Sequence, residues 1–526
     1  MSALRDAVAG RQKQTVKDRQ DQVKNSAGGY VYRVSDEDRL RRFLIIGSNK
    51  GTYYVSKEDA TQKGIEFIEE IVSRDPEMVA RVTFEVSFSG RAPKNTAAIF
   101  VAAVFICRCP DEYKPTARRL VNQVCRTSTH IFEFCEFVDK LGGWGQAKMK
   151  AVKSWYTSRT PDQLAYQAIK YRGGRYGWSH RDVLRTAHPT GIDERVGSFM
   201  LGKALPPGGG SDIIDGFLEM QSARTESDVI KTLDKFPTLP WETIPTHCLR
   251  SPRVWSKLVY NGAVSGTALI RNIGRMDQLG CFKDMTLAAT VRNRLTDPTA
   301  IRRARLHPVQ YLNAMAALGL VPHAGSSWGR AARSEPLTSQ IVAGGLEEGF
   351  YASFDGVALS GERVFIAIDV SGSMAWSSTA CNLTCAQGAT ALAMVIARRN
   401  PVHMIYGFKY SLCDLGVTPG DSLFTATKKT SELAFGSTDC SAPMRYAETN
   451  RIGVDKFIVL TDNETWSGHV KPDAALREYR NRMGIDAKLI VVGMTDTDFT
   501  IADPNDVGML DVCGFDTTIP ELIRNF

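Results

Sequence analysis

From Asp36 to about Glu335, apolar residues recur at three- and four-residue spacing, and the pattern predicts helix after helix. Asp38-RLRRFLIIG, Gly64-IEFIEEIVSR and Asn95-TAAIFVAAVFICR show it well, and the breaks fall at Pro110, Gly142-Gly143, Gly173-Gly174 and Pro189. Helices of roughly 10–20 residues joined by short connections predict antiparallel pairs stacked as a solenoid. Residues 1–27 are polar and read as a loose arm or a solvated first helix, and Leu205-PPGGGSD reads as a flexible internal loop. After Gly344 the rhythm changes. Arg363-VFIAID, Val402-HMIYGF, Lys456-FIVLTD and Ala487-KLIVVGM are short apolar runs, as expected of strands buried on both faces. Helical stretches lie between them. This alternation predicts a parallel, doubly wound α/β sheet with its functional loops at the carboxyl ends of the strands. The expected organisation is an arm (1–27), a helical module (28–360) and an α/β domain (361–526).

Charge sharpens that division. Residues 1–350 carry 50 Lys+Arg against 36 Asp+Glu, a net +14; residues 351–526 carry 15 against 21, a net −6. A basic module joined to an acidic one predicts different partners, with a polyanion for the first. The apolar run Ala97–Cys107 is about half of the roughly 20 residues that span a bilayer, so it reads as a core helix and no membrane is expected. The N-terminus has no apolar segment of the secretory kind. Eleven cysteines, an odd number, predict reduced thiols in a cytosolic protein.

The strand Arg363-VFIAID runs into Asp369-Val-Ser371-Gly-Ser373, a D-x-S-x-S pattern. Phe435-Gly-Ser-Thr438-Asp lies downstream, and Lys456-FIVL ends in Thr461-Asp462. At neighbouring strand ends, Asp369, Ser371, Ser373, Thr438 and Asp462 form one all-oxygen set. Such a set suits a hard divalent cation, Mg²⁺ above all, and leaves a coordination position for water or a partner's acidic group. The competing reading is that Ser371 and Ser373 only cap the next helix. Catalytic readings fail. Ser371 stands where a haloacid-dehalogenase phosphatase needs its second aspartate, and there is no G-x-S-x-G elbow or phosphate-binding G-x-x-x-x-G-K-[ST] loop. Cys107-Arg-Cys109 and Cys381…Cys385 lack second pairs at zinc spacing, and His403 and His469 stand apart. A two-metal nuclease would need more clustered carboxylates. The metal therefore reads as a gripping device and the protein as no enzyme.

In the basic module, Lys170, Arg172, Arg175, His180, Arg181 and Arg185 fall within 16 positions, interleaved with Tyr171, Tyr176 and Trp178. Cations neutralise phosphates, and aromatic and guanidinium planes stack on unpaired bases. Ser179 is placed to cap the helix Arg181–Ala187, and Arg181 and Arg185, four apart, share one face. His188 sits at the helix end, where it reads either as a contact or as a cap. Trp178 reads equally as a core anchor. Further basic blocks are Arg292-Asn-Arg294, Arg302-Arg303-Ala-Arg305 and Arg271-Asn272 with Arg275. Asn272 within an apolar helix predicts a polar contact or a lining position.

Residues 361–526 resemble von Willebrand factor A domains with a metal-ion-dependent adhesion site. Gly28-Gly-Tyr-Val-Tyr, Arg39-Leu-Arg-Arg-Phe-Leu, Gly51-Thr-Tyr-Tyr, Gly143-Trp-Gly, Gly177-Trp-Ser, Ala268-Leu-Ile-Arg-Asn-Ile-Gly and Arg305-Leu-His-Pro together resemble the TROVE module of the Ro autoantigen (Ro/SS-A ribonucleoprotein) family, in that family's domain order. The short connections look like those of a bacterial relative. The resemblance implies a monomeric, multidomain protein: a ring of HEAT-like helical repeats closed by an α/β metal-binding domain. It implies a cytoplasmic role in RNA quality control. Small non-coding Y RNA would meet the outer surface through Lys170, Arg172, Arg175, His180, Arg181, Arg185 and His188. Single-stranded 3′ ends of misfolded or structured RNA would enter a central hole. Arg271, Arg302, Arg303 and Arg305 would serve either surface, and an exoribonuclease would be a partner. The alternative is a metal-dependent adhesion or scaffold protein that holds an acidic group of another protein.

Overall fold

The structure is a computed structural model that describes residues 13–47, 57–207, 211–322, 339–354, 361–376, 382–431 and 436–526. Gly51-Thr-Tyr-Tyr, the glycines of the Leu205-PPGGGSD loop, Phe435, Cys381 and the first 12 residues of the arm lie outside them.

Among the described residues from Asp36 to Ala352 the regular elements are helices, and most pack on the next or next-but-one. Thr96–Arg108 explains the pattern locally. Its sequence TAAIFVAAVFICR is apolar all round, and such a helix is stable only when surrounded. Helices Pro76–Ser89, Lys114–Val124 and Ser128–Lys140 provide that cover, so the longest apolar run is a core helix. Among the described residues no helix is long and apolar enough to cross a membrane. The series closes on itself. Arg305 Nε donates to the Phe88 carbonyl at 3.0 Å, and the imidazole of His307 meets the Arg91 carbonyl at 3.0 Å, more than 200 residues away in sequence.

The described strands are β1 (Gln22–Lys24), β2 (Tyr30–Arg33), β3 (Val364–Asp369), β4 (His403–Phe408), β5 (Leu412–Cys413), β6 (Lys456–Thr461), β7 (Lys488–Gly493), β8 (Phe499–Thr500) and β9 (Met509–Cys513). Six make a sheet in the order β5-β4-β3-β6-β7-β9, parallel except for the edge strand β5. The four strands read from the apolar runs are its centre. All residues of β3 and β6 are buried, as strands covered by helices on both faces require.

Residues 13–27 are no loose arm. β1 and β2 pair antiparallel, and β2 pairs with β8 of the C-terminal domain, Tyr32 facing Thr500. The strap is polar because its partners are polar. Gln14, 0% exposed, donates from Nε2 to Asp439 Oδ1 and to the Val470 carbonyl, both at 2.8 Å. Asn25 donates to the carbonyls of Asn463 and Thr465. The next helix, Asp36–Ile45, continues the weld: Arg42, 1% exposed, meets Asp511 at 2.6 Å and donates to the Thr497 and Phe499 carbonyls. Arg91 Nε donates to Asp516 at 2.9 Å, a third tie between the first helices and the C-terminal domain.

Candidate functional site

The basic segment is built around the helix His180–Ala187, which Ser179 and Asp182 start with a reciprocal capping box. His188 ends it as the C-cap, with φ 48° and its N–H on the Leu184 carbonyl. Before it, a turn is pinned by paired backbone bonds between Arg175 and Trp178, and Gly174 takes φ +66° there; a Cβ on it would lie 2.6 Å from the Trp178 carbonyl. Trp178 is half-buried and packs against Trp144, the two rings tilted at 56° with centroids 5.4 Å apart, so it anchors the turn.

Val183, Leu184 and Ala187 face the core, which leaves Arg181 and Arg185 exposed on the opposite side of the helix; Arg172, Arg175, Tyr176 and His188, which flank the helix in sequence, are exposed as well. Among the described residues no carboxylate pairs with Arg172, Arg181 or Arg185; Arg172 lies over the Phe217 ring and Arg175 over Tyr176. Two members of the expected set do not belong to this face. His180 is 5% exposed, held between Ser128 Oγ at 2.9 Å and the Tyr156 hydroxyl at 2.7 Å. Burial pushes its pKa down to about 3, so it is a neutral core residue. The Lys170 side chain is largely covered, 3.8 Å from Glu242 and near the Tyr166 and Tyr171 rings. Sequence spacing could not separate these from their neighbours, because position 180 opens the helix and its polarity looks like that of an exposed cap.

Arg302 and Arg303 are exposed at the end of the helix Pro298–Ala304. Arg305 is not a free cation for a ligand; it takes φ 48° and spends its guanidinium on the Phe88 carbonyl and ring. Arg271 is exposed. Asn272 donates to the Ala268 carbonyl of its own helix, which accounts for an amide among apolar residues.

The oxygen cluster lies in the acidic domain. Asp369 ends β3 and Asp462 follows β6, so parallel pairing sets the two carboxylates side by side. The third loop is drawn in by backbone bonds: Gly372 N–H to the Gly436 carbonyl, Asp439 N–H to the Lys409 carbonyl, and Trp466 and Ser467 N–H to the Thr438 carbonyl. All five oxygen-bearing residues are buried, at 0–5% exposure. Asp369 accepts from Ser371 N–H at 2.9 Å and from the Thr461 hydroxyl at 2.7 Å; Ser371 and Ser373 hydroxyls lie 3.3 Å apart, and Ser373 also bonds to Asp462. Burial, then the Asp462 charge, holds the Asp369 carboxyl well above the usual carboxylate range. Burial raises Asp462 as well, and Glu464 beside it for the same two reasons. Buried carboxylates at close quarters are costly unless a cation or proton intervenes. The capping alternative fails, because the 3-10 turn Ser373–Ala375 has no side-chain cap and the α-helix after it, Cys385–Ala397, is capped by Thr384 and Gln387. Among the described residues no group of three or more His, Cys, Asp or Glu side chains could hold a metal, so hydroxyls must complete any shell here.

Comparison with known proteins follows the same division. The TROVE domain family model matches residues 23–203 and 236–333, and the Ro60 vWA domain model matches residues 363–526. The chain is 38% identical over 517 residues to the RNA-binding protein RO60 of Deinococcus radiodurans, covering 96% of this chain and 95% of that protein. It is 32% identical over 600 residues to the RNA-binding protein RO60 of Caenorhabditis elegans, covering 98% and 91%. The crystal structure of the Deinococcus radiodurans RO (RSR) protein superposes with a TM-score of 0.67 at 36% identity, covering 93% of this chain and 99% of that one.

Proposed function

The chain belongs to the Ro60 family, and from that membership we propose that it is a non-catalytic RNA-binding protein of RNA quality control or decay in the cytoplasm. The observation that carries the reading is the face around the helix His180–Ala187: Arg172, Arg175, Arg181, Arg185 and His188 are exposed, while His180 and Trp178 hold the scaffold beneath them. Exposed guanidinium groups on a rigid helix and turn place positive charge at fixed spacing, which suits the phosphates of a folded, Y-type RNA. The closed circuit of helices, with Arg302 and Arg303 exposed, suits entry of an unpaired 3′ end of a misfolded or structured RNA, with an exoribonuclease as partner.

The fit of the acidic domain to a divalent cation, Mg²⁺ by its all-oxygen ligands, is supported by two buried carboxylates and three hydroxyls gathered from three loops. Asp369, Ser371, Ser373, Thr438 and Asp462 would hold the ion, which supplies a positive centre for an acidic group. The alternative reading, a metal-dependent adhesion or scaffold protein that holds an acidic group of another protein, would rest on this ion.

Fluorescence anisotropy with a structured small RNA at moderate salt tests the proposal. R172E/R175E/R181E should weaken binding strongly with the melting temperature unchanged; unchanged affinity rejects this face. Labelled RNA incubated with the protein and Mg²⁺ should stay intact, and turnover would overturn the non-catalytic reading.

A further inference from the structure

The two loops that carry Thr438 and Asp462 are clasped by the N-terminal strap. Gln14 is completely buried and bridges them. Its Nε2 donates to Asp439 Oδ1, next to Thr438, and its Oε1 accepts from the Thr465 hydroxyl, three residues past Asp462. That hydroxyl accepts in turn from the Cys440 N–H at 3.1 Å, so one side chain of the strap closes a circuit through both loops. Asn25, also buried, holds the Asp462 loop itself. Its Nδ2 donates to the carbonyls of Asn463 at 3.2 Å and Thr465 at 2.9 Å, either side of Glu464, whose carboxylate accepts from the Ala27 N–H at 2.9 Å. The Gly29 N–H donates to Asn25 Oδ1 at 2.7 Å and fixes the orientation of the amide. Gly29 lies against the Thr465 carbonyl with no room for a Cβ, and Gly468 lies against Gln14 and Asp439 in the same way.

Buried carbonyls need donors, and Asn25 supplies them here from a distant part of the chain. The Glu464 N–H donates to Asp462 Oδ1 at 3.2 Å, so the backbone that Asn25 clasps is the backbone that orients this carboxylate. We propose that Gln14 and Asn25 are positioning residues of the cation site: the strap sets the Thr438 and Asp462 loops against each other, and docking of the strap and occupation of the site are coupled. The inference rests on the divalent-cation reading of the oxygen cluster. The coupling is reciprocal, because a docked strap tightens cation binding by the factor by which the cation tightens docking. The strap runs on through β2 into the helix Asp36–Ile45, so a cation in the acidic domain also firms the seam with the helical module.

The test uses the full chain, with Mn²⁺ as an electron paramagnetic resonance probe and Mg²⁺ as its competitor. Q14A removes the bridge between the loops, and N25A removes the donors to the two carbonyls. R19A loosens the strap elsewhere, at Asp21 and Asp503. Q14A and N25A should each weaken Mn²⁺ binding about tenfold, while R19A keeps the wild-type affinity. In wild type, Mg²⁺ should slow amide hydrogen exchange across residues 13–34, and in D462A it should not. Wild-type affinity in both Q14A and N25A, even with a lowered melting temperature, marks a purely structural role and overturns the proposal. Exchange across residues 13–34 that is indifferent to Mg²⁺ in a wild type that binds Mn²⁺ overturns the coupling. Equal losses of affinity in R19A, Q14A and N25A overturn the assignment to these two residues. A wild type that takes no Mn²⁺, or whose affinity D462A matches, overturns the cation reading, and the proposal with it.

Discussion

Replacing His180 by alanine separates a residue that builds the basic face from one that touches a ligand. The ring makes two hydrogen bonds, to Ser128 Oγ and the Tyr156 hydroxyl, and lies 5.0 Å from the Phe132 ring. Ser128 Oγ keeps Gln167 as a partner at 3.1 Å, but Tyr156 loses the ring its hydroxyl meets, at 0% exposure. A buried hydroxyl left unpaired costs about 1–3 kcal/mol. Removing a packed ring adds about 2 kcal/mol for the cavity. H180A should therefore lose about 3–5 kcal/mol, a fall of roughly 4–7 °C in the melting of the helical module. R181E, one position on but exposed, should melt like wild type and bind RNA more weakly. Thermal melts with RNA titrations below the transition provide the comparison. An H180A protein with the wild-type melt and tenfold weaker RNA binding would refute the reasoning, because the ring would then be a contact rather than a support.

Acid should destabilise the fold through His180 and His307, whose burial pushes their pKa values down to about 3 and about 4. Because the folded values lie below the ordinary 6.5, the unfolded chain takes the proton first; stability is complete above pH 6.5 and falls toward pH 4, by about 2 kcal/mol per histidine between pH 7 and 5. Urea midpoints at the two pH values check this, and H180A should flatten the dependence. R42M should cost about 3–5 kcal/mol because it strands Asp511, while R42M/D511L should recover much of that loss, as calorimetry of the two variants would show. Mg²⁺ at 100 times its dissociation constant should stabilise the acidic domain by about 2.7 kcal/mol, and D462A should abolish that gain; equal stabilisation of both proteins would remove Asp462 from the site.

The core strands were legible because β3 and β6 are buried along their whole length and so read as unbroken apolar runs. The helix caps at Ser179 and the paired spacing of Arg181 and Arg185 were equally local signals. What the chain did not disclose depends on distant partners. Residues 13–27 look unstructured because Gln14 and Asn25 satisfy polar groups more than 400 residues away. β9 shows partly exposed positions and gives no clean apolar run. His180 and Arg305 look like surface cations until the tertiary fold brings Tyr156 to one and Phe88 to the other. The oxygen cluster was readable because D-x-S-x-S, Thr438 and Asp462 each sit at a strand end or in a connecting loop.

The salt dependence of RNA binding tests the central claim most directly. Each phosphate contact by a cation contributes about 0.9 to the slope of log affinity against log salt on duplex nucleic acid and about 0.7 on single strands. Wild type should show a steep slope, and R172E/R175E/R181E a slope shallower by about 2–3. A triple variant with the wild-type slope and affinity would contradict the account, because the exposed cations around the helix His180–Ala187 would then meet no phosphates.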